Sequence, residues 1–470
     1  MLFGLDLMIF LAIVIAAYMA WNIGANDVAN AMGTSVGSKA LTLRNAIIIA
    51  AVFEFLGAFF AGDAVTDTVR KGVLVISEEE MVELSTELYY GFIASMLAAA
   101  LWITYATRYG LPVSTTHSIV GGIVGIGFFI DSSMIDYAKV GQIVVSWIAS
   151  PLLGGLLAYG TFYVIKIMIL DAQDPIDRSR WMAPILALPT FFVLSLALQF
   201  KALKYVLPSA WLPSKNCAEG LNFMDSLGAC LPVQSLAAAL VMALFCSSIL
   251  YALLLNYEFK ETGYQAVETI FAWLQVITAC YVAFAHGAND RSNAIGPMAA
   301  VWQVFKVGSL GSEAEVPLWL VLLGSVGIVI GITTWGYRVM KTIGEKITHI
   351  TPTRGFAAQF AAATTVLIFS MPFLAIPIST THTLVGSVVG VGLAGGASSV
   401  DFRVFGKIAA SWVASIPAAG FGAMILYAIF GLDETRFIVS VLIILSIMFW
   451  LVYNSIKSGP KVEIEVGSEG

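Results

Sequence analysis

The chain has 470 residues, of which 59% are apolar and only 11% charged, with a mean hydropathy of +0.88 and a formal net charge of −6. A soluble domain carries roughly 25% charged residues, so the composition excludes a soluble globular protein and indicates a polytopic helical membrane protein. The acidic balance leaves no basic patch for nucleic acid, and no Walker A loop is present, which argues against ATP hydrolysis in this chain.

In chain order, apolar stretches lie near 5–24, 43–62, 88–107, 112–130, 139–170, 181–200, 234–256, 265–285, 317–337, 356–375, 377–395, 404–430 and 437–455. Each reaches the roughly 20 residues of a membrane span. Hydropathy does not separate full spans from re-entrant hairpins, so the expectation is about twelve membrane segments. The first stretch lacks a basic leader and a small-residue cleavage site, and reads as a retained helix.

Two polar motifs occur twice within this apolar sequence. Gly24-Ala25-Asn26-Asp27-Val28-Ala29-Asn30-Ala31 returns 263 residues later as Gly287-Ala288-Asn289-Asp290-Arg291-Ser292-Asn293-Ala294. Pro112-Val113-Ser114-Thr115-Thr116-His117 returns 265 residues later as Pro377-Ile378-Ser379-Thr380-Thr381-His382, and Ser146-Trp147 as Ser411-Trp412. Paired polar breaks in corresponding halves are the sequence sign of a transporter built from internal repeats. The expected organisation is an N-terminal repeat at 1–200, a connecting loop and linker helix at 201–264, a C-terminal repeat at 265–460 and a polar tail at 461–470.

Loop charge tests the relative orientation of the repeats. Loop 63–87 carries two basic residues against seven acidic ones, and its counterpart 337–355 carries four against one. The excess of Lys and Arg places 337–355 in the cytoplasm and 63–87 outside. Seven segments separate the two repeat starts, and an odd number of crossings also inverts the second repeat. The fold class is therefore an all-α polytopic membrane protein of two inverted-topology repeats, with broken helices and re-entrant hairpins. The N-terminus and the 201–233 loop come out on the external side. There Cys217 and Cys230 are either a disulfide, as an oxidising compartment permits, or two thiols.

The first motif places a carboxylate and two amides within five residues at membrane depth. An ionised Asp there costs roughly 2.5–3.5 kcal/mol on insertion scales. Gly24 and Gly287 would let the helix unwind and expose backbone carbonyls. Carboxylate, amide and carbonyl oxygens suit a hard cation, with Asp27 and Asp290 supplying charge and Asn30 and Asn293 following on the same helix face. The plainer alternative is an Asp or Asn capping a new helix.

The second motif places Ser-Thr-Thr after a proline, where a helix opens. Free backbone N–H groups and the positive dipole end of a helix bind anions, and the hydroxyls add uncharged donors. Simple capping is again the alternative. His117 and His382 either shape the hairpin tips or carry protons. His286 stands where the first half has Ile23, and Arg291 where it has Val28, so the half-sites are not equivalent. Arg291 could contact an anion or pair with a carboxylate. Glu54 and Gln359 are further polar residues within apolar runs, and an ionisable residue in the membrane is a functional candidate.

At these residues the chain resembles the inorganic phosphate transporter family of sodium- or proton-coupled phosphate permeases. Gly33-Thr34-Ser35-Val36-Gly37-Ser38, Phe53-Glu54 and Thr68-Val69-Arg70-Lys71-Gly72 carry the resemblance alongside the two motif pairs and the Ser-Trp blocks. It implies an inverted-repeat permease for orthophosphate, without cofactor and without enzymatic chemistry, in the plasma membrane. Phosphate would be held by Asn26, Ser114, Thr115, Thr116, Asn289, Ser379, Thr380 and Thr381, and Na⁺, the only metal, by Asp27, Asn30, Asp290 and Asn293. Glu54, Arg291, His117, His382 and Gln359 would be auxiliary. The G-A-N-D form of the first motif is similar to the sodium-coupled branch, whereas the proton-coupled metal-phosphate branch tends to have a His before this Asp. Gln359 departs from an acidic residue of animal relatives. Partners would be phosphate, Na⁺ (H⁺ in the alternative) and the bilayer, with a homodimer also open. Rival readings are an H⁺-coupled phosphate or metal-phosphate symporter, a gated anion channel, and an intramembrane enzyme using Ser-Thr-Thr-His.

Overall fold

Helices account for nearly all of the described backbone because no other open structure satisfies its own N–H and C=O groups without water. The computed structural model describes residues 7–60, 73–203, 206–212, 232–310, 316–369 and 378–430, with isolated helical positions between 442 and 453. The expected cysteine pair Cys217 and Cys230 and the polar tail lie outside the described residues. Among the described residues, extended backbone pairs only at two isolated bridges, Leu74 with Ile135 and Thr348 with Val400.

The first half comprises α1 (Leu7–Gly37), α2 (Leu43–Phe60), α3 (Ser85–Arg108), α4 (Thr115–Ile130), α5 (Tyr137–Ile165) and α6 (Pro175–Ala197). Helix α7 (Val233–Asn256) follows as a connector. The second half comprises α8 (Tyr264–Val307), α9 (Leu318–Trp335), α10 (Pro352–Phe369), α11 (Thr380–Ala394) and α12 (Phe402–Phe430). Nine described helices are long and apolar enough to cross a membrane, while α4 and α11 are shorter apolar helices. The chain is thus a multi-pass helical membrane protein.

Local sequence sets the helix starts. Ser114 and Ser379 cap α4 and α11, each accepting a hydrogen bond from the backbone N–H of the motif histidine, His117 or His382, at 3.2 Å. Asp174 caps α6, and Pro175 sits at its first position, where its missing N–H costs nothing.

The expected unwinding at Gly24 and Gly287 does not occur. Helix α1 runs unbroken through 24–31, and α8 continues for 44 residues through 287–294. The interruption falls instead between α3 and α4, where Gly110 adopts a left-handed turn at φ 67°. The glycines serve close packing. A Cβ on Gly24 would lie 1.9 Å from the Ile328 carbonyl oxygen of α9, and one on Gly287 would lie 2.1 Å from the Glu54 carbonyl oxygen of α2. With no hydrophobic force between helices in lipid, such backbone approach and interhelical hydrogen bonds hold the bundle together. Helix α1 accordingly buries residues around its whole circumference from Met19 to Ser35.

Candidate functional site

The motif residues of both halves meet in one buried polar centre. Asp27 and Asn30 of α1, and Asp290 and Asn293 of α8, are each at most 3% exposed. In the first motif Asn26 fixes the hairpin leading into α4. Its Nδ2 donates to Thr107 Oγ1 at 2.8 Å and to the Leu111 carbonyl at 3.1 Å, and its Oδ1 accepts from Val113 N at 3.1 Å. Asn26 therefore spends its amide on holding the segment that presents Ser114 and Thr115. In the second motif, half-buried Asn289 donates from Nδ2 to Asp290 Oδ1 at 2.9 Å.

The asparagines one turn further along connect the halves reciprocally. Asn30 of α1 donates to Thr381 Oγ1 at 2.8 Å and Thr380 Oγ1 at 3.4 Å on α11. Asn293 of α8 donates to Thr115 Oγ1 at 3.2 Å and Thr116 Oγ1 at 3.1 Å on α4. Thr115 also donates to Asp27 Oδ2 at 2.6 Å, a short charge-assisted bond. Each motif helix thus addresses the hydroxyls of the other half's hairpin. Thr116 and Thr380 remain half-buried. A cavity between α8, α10 and α11 reaches the centre, lined among others by Asn30, Tyr281, His286, Asn289 and Thr380.

His286, which breaks the symmetry of the two motifs, lies at the heart of this cluster. Its Nε2 is 2.6 Å from Asp290 Oδ2 and 3.7 Å from Asp27 Oδ2, and its Nδ1 is 3.1 Å from Glu54 Oε2. Glu54, fully buried in α2, is thereby brought into the site. Asp27, His286 and Asp290 each offer one ligand atom, all within 4.8 Å of one another, a donor set that could hold a metal ion. The sequence signal was available in His286-Gly287, but its partner Glu54 lies over 200 residues away on another helix.

The remaining auxiliary residues are placed differently. Arg291 is fully buried, and its guanidinium donates to the Ala58 carbonyl of α2. Gln359 joins α10 to α1 by donating to the Ala31 carbonyl at 2.8 Å and Ser35 Oγ at 3.2 Å. His117 and His382 face each other at 4.9 Å between ring centroids, and His382 stacks on Trp412 at 3.9 Å. Trp412 in turn donates from Nε1 to the Pro112 carbonyl at 2.9 Å, tying α12 to the first hairpin. Both histidines are buried where the tips of α4 and α11 meet.

This geometry can bind a small oxyanion at two helix starts and a cation at the neighbouring carboxylates. The fold and site define a multi-pass helical membrane protein organised around a buried polar centre. Residues 23–423 match the model of the phosphate transporter family. The chain is 42% identical to a putative phosphate permease of Thermococcus kodakarensis, over 90% of this chain and 98% of that protein. It is 39% identical to the chloroplastic inorganic phosphate transporter 2-1 of Arabidopsis thaliana, over 88% of this chain and 70% of that one. Among solved structures it resembles a sodium-dependent phosphate transporter at 35% identity and a TM-score of 0.77, over 91% of this chain and all of the other. The chain belongs to the phosphate transporter family.

Proposed function

We propose that this chain imports inorganic phosphate together with Na⁺ across the plasma membrane by alternating access. The reading rests above all on the reciprocal pairing at the centre: Asn30 and Asn293 each donate to threonine hydroxyls at the start of the other half's short helix, and Asp27 accepts from Thr115. Thr116, Thr380 and Thr381, with the backbone N–H groups of α4 and α11, supply donors for the anion, while Thr115 gives its hydroxyl proton to Asp27. Asp27 and Asp290, with the amide oxygens of Asn30 and Asn293, attract the cation, which offsets the anion's charge and completes its site. Asn26 acts one step back, by holding the first hairpin. No covalent step is required. Because Asn30 and Asn293 each bond the opposite hairpin, moving one repeat against the other remakes both contacts together, as alternating access by inverted repeats requires. The similarity to a sodium-dependent phosphate transporter supports Na⁺ as the coupling ion.

His286 favours a second reading. An imidazole among three carboxylates suits coupling to H⁺, or carriage of a divalent metal with phosphate, better than an all-oxygen site does. Phosphate uptake into proteoliposomes separates the two. Accumulation driven by an inward Na⁺ gradient at equal pH supports Na⁺ symport. Accumulation only with external acid, or only with an added divalent metal, replaces it with the second reading. No accumulation by folded protein under any of these gradients overturns both.

A further inference from the structure

A groove of about 550 Å³ lies between α5, α11 and α12. Its walls are apolar and open to the surroundings: Ile148 and Leu152 of α5 are 72% and 56% exposed, and Val413 of α12 is 62% exposed. Its floor is α11. There a Cβ on Gly386 or Gly390 would lie 2.2 or 2.1 Å from the carbonyl oxygen of Pro151 or Gly155 of α5. Glycine lets the backbones approach at this crossing and leaves no side chain to fill the space above them. Towards one end the groove reaches Trp147 and Trp412. Trp412 stacks on His382 at 3.9 Å, and the Trp147 ring lies 5.3 Å from that of His117. The groove thus backs onto the hairpin tips and runs along the helix whose first turn carries Thr380 and Thr381.

Lipid tails are as apolar as leucine, so the groove alone prefers no lipid over another. Left empty, it would only forfeit dispersion contacts. Selection falls to the charge at its other end. There Tyr159 of the groove stacks on Tyr163 at 6.1 Å, an aromatic pair of the kind found at headgroup level. Lys166 follows in the next turn and is exposed. Arg354 is close by, over the Phe162 ring of α5 at 5.3 Å and beside Gly395 at the end of α11. At this end Val400, just before α12, bridges to Thr348 of the basic loop 337–355, which its Lys and Arg assign to the cytoplasm. Glu268 and Asp401, acids at the same end, are engaged at helix starts: Glu268 accepts from Thr353 N and Oγ1 at 2.8 and 2.9 Å, and Asp401 from Arg403 N and Val404 N at 2.9 and 3.1 Å. The cytoplasmic leaflet is the anionic one, and a Lys or Arg near it contributes about 1 kcal/mol. A second copy docked here about a two-fold axis would set the same basic rim against itself.

We infer that the groove holds an acyl chain of one anionic phospholipid of the cytoplasmic leaflet, with its headgroup phosphate on Lys166 and Arg354, and that this lipid braces α11 for phosphate transport. The seated chain fills the space behind Gly386, Gly390 and Trp412. Helix α11 then presents its first turn to the centre against a packed support.

The test offers the full chain, in neutral detergent, equal amounts of phosphatidylglycerol and phosphatidylcholine and counts bound lipid by native mass spectrometry. The wild type is expected to retain one phosphatidylglycerol in preference to phosphatidylcholine. Lys166→Glu exchanges an attraction for a repulsion and should weaken that retention roughly thirtyfold, about 2 kcal/mol. Ala409→Trp fills the groove from α12 with the charge unchanged and should lose the lipid. Lys407 is exposed and lies two residues from both Phe405 and Ala409, on the opposite face of α12, so Lys407→Glu should retain it. In proteoliposomes, under whichever gradient drives accumulation, adding phosphatidylglycerol to phosphatidylcholine should raise phosphate uptake by the wild type and Lys407→Glu but not by Lys166→Glu or Ala409→Trp. Equal retention of the two lipids by the wild type overturns the site, as does an unchanged count in Lys166→Glu and Ala409→Trp. A two-copy species without lipid that Ala409→Trp separates overturns it in favour of an interface between copies. Wild-type uptake indifferent to phosphatidylglycerol overturns the bracing role. If Ala409→Trp does not fold, Lys166→Glu decides. Failure of the proposed function looks different: no uptake under any gradient would remove the bracing role with it, while the lipid count, which uses no gradient, still decides the site.

Discussion

The two asparagines that close each motif, Asn30 and Asn293, carry the clearest functional consequence of a single side chain. Each spans from its own half to the hydroxyls of the other. Interhelical hydrogen bonds in membranes are worth about 0.6 kcal/mol on average and up to roughly 1.7. Asn30→Ala is therefore expected to weaken phosphate transport, raising KM by about three- to twentyfold by the usual conversion of free energy to affinity. Thr381→Ala should do the same, and the double variant should be less than additive because the two share one bond. Additive effects in a transport assay would show that Asn30 acts elsewhere. The motif pairs that place these residues in one centre are legible in the sequence, because polar residues at membrane depth are costly and their duplication at a constant spacing is visible. The placement of His286 against Glu54 is not, because it depends on how α8 crosses α2. The role of Asn26 was hidden for the same reason: its partners Thr107, Leu111 and Val113 belong to a hairpin whose path no local pattern gives.

At the scale of whole helices, helix starts are more legible in the residues than helix continuity. Ser114 and Ser379 cap α4 and α11 where the Pro-x-Ser-Thr-Thr-His motif led one to expect it. Glycine is ambiguous in the same sequence, since it can release a helix or let another helix approach. At Gly24 and Gly287 the second use prevails, and the motif stays helical with its backbone bonds intact. That conclusion has a direct consequence at Gly331, where a Cβ would lie 1.9 Å from the Trp21 carbonyl oxygen and 2.7 Å from Ala25 N. Backbone on both sides cannot move as a flexible side chain could. Gly331→Leu should therefore separate α1 from α9, at a cost beyond the 1–3 kcal/mol typical of an overpacked core. The expected outcome is loss of a monodisperse peak in detergent. Gly160→Leu is the control, because nothing lies within 4 Å of its Cβ position, and it should purify normally. Equal behaviour of the two variants would remove close packing as the reason for glycine at this crossing.

For the molecule as a whole, the question that matters for transport is how the two halves are set in the bilayer. Helices α4 and α11 meet at their first turns, with His117 against His382 and the Asn–Thr bonds crossing between halves. Two short helices that start together at the centre would present their N-termini to one anion, as the proposed function requires. If the repeats are inverted, the two helices leave the centre towards opposite faces, and the loops beyond them lie on opposite sides. Each of those loops is bridged to a segment of contrasting charge, Ile135 to Leu74 of the acidic loop 63–87 and Val400 to Thr348 of the basic loop 337–355. Ser77 precedes a helix in the acidic loop, Lys346 lies in the basic one, and both are exposed. In a background without native cysteines, Ser77→Cys should react with a membrane-impermeant thiol reagent on intact cells, and Lys346→Cys only after permeabilisation. The reverse pattern would turn the whole molecule over while keeping the inversion. Labelling of both from the same side would make the repeats parallel, and the rocking of one half against the other would then lose its geometric basis.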